Sequence, residues 1–201
     1  MNNKHTWALV FTALITGTAT AQDRHRPPSP VPLTLFVVTE SVGLPALGGL
    51  LRGPGVGFRV GTEFCYRRRP GSQLIQTLNV GGYHHARLHN GLYLNTEFGY
   101  RKFAGRFFAE GFIGVGALGL APLMRSYLPT GDGDFRAAPA GLVRVMPSLS
   151  AGLGYAIHDR RARPVSVFVR YETFGEAPFS NRGVPVLPHT ALHLGLRLLT
   201  R

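Results

Sequence analysis

The stretch Val56-Gly57-Phe58-Arg59-Val60-Gly61-Thr62-Glu63-Phe64-Cys65-Tyr66-Arg67-Arg68 decides how the chain is read. Val56, Phe58, Val60, Thr62, Phe64 and Tyr66 share one parity, and Gly57, Arg59, Gly61, Glu63, Cys65 and Arg67 share the other. In a strand successive side chains point to opposite faces, so an unbroken period of two with charges on one parity means a sheet with an apolar side and a polar side.

What precedes this segment sets its compartment. Lys4 gives a charged start, Trp7 to Ile15 form a mostly apolar run, and Ala19, Thr20 and Ala21 supply the small residues of a cleavage site before Gln22. The run is far shorter than the roughly 20 apolar residues that span a bilayer, so residues 1–21 read as a cleaved export signal. A short N-terminal segment, 22–32, leads into a single domain over residues 33–201.

Composition narrows the possibilities. Cys65 is the one cysteine of 201 residues, so an exported chain of this kind is held by its hydrogen-bonded sheet and not by an internal disulfide. The formal charge is +12. The cations are dispersed in triplets, Arg67 with Arg68 and Arg69, Arg101 with Lys102 and Arg106, Arg160 with Arg161 and Arg163. Each triplet falls at an expected strand end, where lipid headgroups suit it better than nucleic acid, from which export separates it.

The mature chain has no 18-residue apolar run and therefore no expected membrane helix. The pattern instead predicts strands over Leu33 to Leu44, Val56 to Arg68, Gln73 to Arg87, Leu92 to Phe103, Phe107 to Leu120, Ser148 to His158, Val165 to Phe174 and Thr190 to Leu199. The connections alternate in length. Pro45 to Gly55, Ala121 to Pro147 and Gly175 to His189 are long, whereas Arg69 to Ser72, Ala104 to Arg106 and Asp159 to Pro164 are brief. Leu88 to Gly91 breaks the alternation, with Asn90 and Gly91 reading as a tight-turn pair.

Parity carries through all of these segments. Leu78, Val80, Leu94, Phe98, Ile113, Leu153, Val169, Leu194 and Leu196 fall on the uncharged side. Glu40, Arg59, Glu63, Glu97, Arg101, Glu110, Arg170, Glu172 and Arg197 fall on the other, with Asn79, Asn95, His85, His193 and many glycines. Tyr66, Tyr100, Phe107 and Tyr155 lie on the apolar side at one end, as an interfacial aromatic girdle would. The reading is all-β, an eight-stranded antiparallel up-and-down transmembrane β-barrel, apolar outside, with the nine charged residues forming an interior ionic network. Eight strands enclose just enough room for side chains, so a freely conducting, porin-like pore is not expected.

In this architecture, over residues 33 to 201, the chain resembles the small eight-stranded outer-membrane barrels of OmpA and OmpX type. Its end, Leu187-Pro188-His189-Thr190-Ala191-Leu192-His193-Leu194-Gly195-Leu196-Arg197, looks like the last strand of such barrels from Bacteroidetes-like bacteria. The resemblance implies a Gram-negative outer membrane, contact with its lipids including lipopolysaccharide, and insertion by the barrel-assembly machinery. Such barrels usually finish on an aromatic residue. Here Leu198, Leu199, Thr200 and Arg201 close the chain, leaving the alternating leucines for recognition.

Lipid A deacylases and acyltransferases use the same scaffold, and His84, His85 and His89 are candidate bases, with Ser180 or Ser41 as nucleophiles. The deacylases carry a histidine and a serine two apart, and no such H-x-S occurs here. A non-enzymatic structural or loop-binding role is therefore expected, its extracellular ligand unnamed by the sequence, with no cofactor. No metal site is expected either. His84 and His85 point to opposite faces, and Thr130 to Asp134 lacks the downstream acidic ligand of a calcium loop.

Overall fold

The computed structural model describes residues 31–43, 55–85, 89–122, 127–129, 134–137, 142–157, 165–179 and 185–199. The expected signal, Ser180 and most of the Thr130 to Asp134 tip lie outside the described residues. The strands are β1 (Pro32–Val42), β2 (Gly55–Arg69), β3 (Ser72–His84), β4 (His89–Ala104), β5 (Phe107–Pro122), β6 (Tyr127–Pro129), β7 (Phe135–Ala137), β8 (Leu142–Ile157), β9 (Val165–Glu176) and β10 (Leu187–Leu199). Eight of them close into one antiparallel barrel in the order β1-β10-β9-β8-β5-β4-β3-β2, while β6 and β7 pair as a separate ribbon. No described helix is long and apolar enough to cross a membrane.

Register fixes the shape of the barrel. One row of partners runs from Glu40 through Ala191, Glu172, Ser150, Phe112, Gly99 and Ile75 to Cys65, yet Glu40 also pairs directly with Gly55. One circuit thus returns ten residues further along β2, a stagger that tilts the strands by about 35–45° and leaves an interior that side chains fill.

The alternation of the sequence becomes an alternation of burial. His193 is 1% exposed and its neighbour Leu194 62%, and the large apolar residues of the expected outer face are largely exposed. Gln76, the uncharged polar intruder on that face, donates to Thr96 Oγ1 at 3.0 Å and accepts from the Tyr66 hydroxyl. Thr96 in turn donates to the Thr77 carbonyl at 2.8 Å, so these outward polar groups are mutually satisfied.

Inside, large rings occupy the room that glycines vacate. A Cβ on Gly99 would sit 2.2 Å from the Phe112 ring, and one on Gly154 would sit 2.2 Å from Phe108 and 2.6 Å from Phe168.

Two expectations fail at the long-loop end. Asn90 and Gly91 are not a turn: they pair with His84 and Tyr83 inside the β3–β4 ladder, and His85 N–H donates to the His89 carbonyl at 3.1 Å. Gly91 is small because the Tyr83 ring lies where its Cβ would be, a packing demand that reads as turn chemistry in one dimension. Pro147, expected to end the third long loop, lies within β8 opposite Val115. The ladder to β9 reaches only Ser148 and resumes as a single bridge between Val145 and Ala177, so a residue without an N–H is tolerated between them.

Candidate functional site

Beginning at the short-turn end, β2, β4, β5, β9 and β10 each send charges to the axis. Arg101 on β4 donates from Nη2 to Glu63 Oε1 at 2.8 Å and from Nε to Glu110 Oε2 at 2.8 Å. Arg197 on β10 reaches Glu63 from Nε at 2.9 Å and Glu110 from Nη2 at 3.3 Å. Arg170 on β9 spans to the next tier, with Nη2 2.7 Å from Glu110 and Nη1 3.1 Å from Glu97. Arg59 completes the chain, bonded to Glu97 and, at 2.7 Å, to Glu172.

The structure therefore brings Arg59, Glu63, Glu97, Arg101, Glu110, Arg170, Glu172 and Arg197 into one buried network. Four carboxylates face four guanidiniums, so the formal charges cancel. Such balance matters, because an unpaired charge at this depth costs several kcal/mol. Neutral donors complete it: Thr77 and Ser150 hydroxyls and the Asn79 amide all donate to Glu97, at 3.1, 3.3 and 3.3 Å. Aromatic faces flank the cations, with Arg170 4.4 Å from the Phe112 centroid and Arg197 4.7 Å from that of Phe168.

Glu40 departs from the expected grouping. It lies near the end of β1, and its partner is His189, whose Nδ1 is 2.6 Å from Oε1. Arg59, opposite Phe36, lies four residues deeper along the β1 ladder. His189 Nε2 is 3.3 Å from Glu176, which also pairs with Arg144 on β8. The imidazole stacks on Phe174 at 4.7 Å and 10°, and the Arg144 guanidinium lies 5.0 Å over the ring of Phe179. Glu40, His189, Glu176 and Arg144 thus tie four neighbouring strands at the long-loop mouth.

Of this second cluster only Glu40 is anticipated above. His189 and Arg144 fall in segments read as loops, and Glu176 lies two residues past the expected end of its strand. Continuing the alternation would have found them, because His189 shares parity with His193 and Arg144 with Ser148.

Between the two clusters some buried polar atoms have no hydrogen-bond partner among the described residues: both amide atoms of Asn95, Ser148 Oγ and His193 Nδ1. His193 Nε2 lies 2.8 Å from Glu172.

The candidate bases separate. His84 faces outward and is exposed, its Nδ1 2.6 Å from Asn90 Oδ1. His89, on β4 at the mouth, has Nε2 3.2 Å from the Tyr83 hydroxyl. His85 is half-buried with Nδ1 unpartnered among the described residues. Ser41 near the end of β1 has no described hydrogen bond to any of them. No group of three or more His, Cys, Asp or Glu among the described residues could hold a metal ion.

Tyr66, Tyr100 and Phe107 are exposed on the outer face towards the short-turn end, and Tyr155 is half-buried there with its ring 5.0 Å from that of Phe107. Cys65 is exposed at the same end, where the β2–β3 register shifts between Cys65 and Arg67.

Among solved structures the chain is similar to Neisserial surface protein A, at TM-score 0.51 and 11% identity over 85% of this chain and 97% of that one. The chain has the fold of the small eight-stranded outer-membrane barrels. Two further similar structures are the outer membrane enzyme PagL, at TM-score 0.48 and 12% identity over 83% and 99% of the two chains, and Ail of Yersinia pestis, at 0.45 and 11% over 85% and 97%. No protein-family model matches the chain, and no curated protein does.

Proposed function

We propose that the protein is an integral outer-membrane barrel that carries no catalytic centre, keeps its lumen closed with its own charges and serves as a scaffold for its longer connections. One observation carries this reading. On the described barrel strands the exposed Lys, Arg, Asp and Glu residues are Arg67, Arg68 and Arg69 at the end of β2 and Lys102 near the end of β4, all at the short-turn rim, while the acidic and basic residues deep in the strands are inward and buried. A soluble barrel has the reverse polarity, and a lipid-embedded one has this polarity. Strands of 11 to 16 residues also match or exceed the roughly 9–11 that a tilted strand needs to cross a bilayer. On this reading the short turns face the periplasm, the long connections face outward, and the partners are outer-membrane lipids, lipopolysaccharide among them, and the barrel-assembly machinery. A loop-bound extracellular ligand would meet the mouth held by Glu40, His189, Glu176 and Arg144.

The closed lumen is tested by planar-bilayer recording. The expected result is a silent membrane, because the Arg59 to Arg197 network fills the cross-section; stepwise openings in the folded wild-type protein would contradict it.

An alternative reading is an enzyme acting on lipid A, as a deacylase or acyltransferase, and one observation favours it. His84 faces the lipid side with Asn90 hydrogen-bonded to its Nδ1, the arrangement in which an orienting amide leaves Nε2 to act as base. No serine or threonine hydroxyl among the described residues is hydrogen-bonded to it. Incubation with lipopolysaccharide and mass spectrometry of the products separates the readings: the scaffold predicts intact lipid A, and acyl release that disappears in His84→Ala would establish the enzyme.

A further inference from the structure

Two apolar grooves of similar size run over the outer wall, and they differ in one respect. The larger, about 660 Å³, lies at the short-turn end between Phe107 and Tyr155 on one side and Leu153, Val167, Val169 and Leu194 on the other, with Ala109 low between them. The second, about 630 Å³, lies between Phe98, Tyr100, Ile113, Leu149 and Tyr171, where Gly111 and Ala151 leave the wall low. Each is set by small outward residues between large apolar ones. Lys102 lines the first groove, whereas no charged residue lines the second.

A second cation stands at the same rim. Arg106 in the turn between β4 and β5 donates from Nη1 to the hydroxyl of Tyr155, an aromatic that itself lines the first groove, at 3.4 Å. Its guanidinium keeps further donors free to be used beside the ammonium of Lys102. No carboxylate lines the groove, so nothing within its lining neutralises this pair. Two cations over the end of an apolar channel match an anionic headgroup above an acyl chain.

We propose that the groove between Phe107, Tyr155, Leu153 and Leu194 is a binding site for one anionic phospholipid of the periplasmic leaflet, its phosphate held by Lys102 and Arg106 and an acyl chain lying over Ala109. The proposal rests on the reading of the barrel as membrane-embedded. The phosphate lies at the rim, where the Lys102 stem can extend to the interface while its ammonium stays wet. The Phe107 and Tyr155 rings, edge to face at 5.0 Å, flank the groove at the same rim. The second groove offers the same kind of apolar bed without a headgroup partner and takes any acyl chain indifferently.

The test uses the full chain folded into phosphatidylcholine vesicles containing a minority of phosphatidylglycerol, extracted in mild detergent, with retained lipid read by native mass spectrometry. The expected result is retention of phosphatidylglycerol enriched about tenfold or more over its share of the membrane, falling to within about twofold of that share in Lys102→Gln/Arg106→Gln. Ala109→Phe, which fills the channel and keeps both cations, is expected to abolish the enrichment as well, and Ala151→Leu in the second groove to preserve it. Absence of enrichment in the wild type, or enrichment that survives both Lys102→Gln/Arg106→Gln and Ala109→Phe, overturns the site. If the double variant does not fold, the Ala109→Phe result decides alone. Failure of the wild type to enter vesicles overturns the embedded reading itself, whereas entry without enrichment overturns the lipid site only.

Discussion

The interior holds two ion-paired regions that keep their charge in different ways. Towards the short turns, four arginines and four glutamates from five strands make a network in which Arg101, Arg170 and Arg197 all bond to Glu110. At the mouth, Glu40 and Glu176 face one guanidinium, that of Arg144, and one imidazole, that of His189. The arginines that balance the first region are guanidiniums, which keep their charge. The second is balanced only when His189 carries its proton. Fixed charge of opposite sign, held by several forked donors, suits a permanent seal; a histidine bridge next to loops suits a part that answers to its surroundings.

Replacing Arg170 by Ala should give the largest effect, because Glu97 and Glu110 both lose a partner while remaining buried. A loss of about 3–5 kcal/mol is expected in urea unfolding followed by gel mobility. Gly99→Ala should come next, at about 1–3 kcal/mol, since the new methyl meets the Phe112 ring that packs under Arg170. His189→Ala leaves Glu40 without its described partner while Arg144 stays with Glu176, and about 1–3 kcal/mol is expected in the same assay. Equal losses for Arg170→Ala and His189→Ala would erase the distinction between the two regions. Asn95→Ala should cost least, within about 1 kcal/mol, because neither amide atom has a described partner to lose. A loss there as large as that of Arg170→Ala would mean that the middle of the barrel is organised by Asn95 as well.

The same two regions differ in how far the sequence reveals them. The deep network is spelled out by parity alone, since Arg59 and Glu63, or Glu97 and Arg101, alternate with apolar residues inside long uninterrupted strands. Which of them pair is another matter: Arg197 and Glu63 are 134 residues apart, and only closure of the barrel brings β10 and β2 to either side of β1. At the mouth local chemistry misleads. Pro147 looks like a strand end, and Asn90-Gly91 looks like a turn, whereas Pro147 falls where the β8–β9 ladder lapses and Gly91 makes room for Tyr83. Glu40 therefore appears without His189 or Glu176 to receive it and joins the arginines by default. The outward grooves are equally hidden, because Ala109 becomes the floor of a channel only once Phe107, Leu153 and Val167 are arranged around it.

The inversion of polarity, apolar wall outside and ion pairs within, is what the reading of this chain as a membrane barrel rests on, and gel mobility after insertion tests it most directly. The full chain is folded into phospholipid vesicles, the vesicles are floated, and the floated fraction is run with and without boiling. The expected result is a band in the floated fraction that runs ahead of its boiled form, as a closed barrel does while its sheet is intact. Protein left in the aqueous fraction and running at one position whether boiled or not would contradict it.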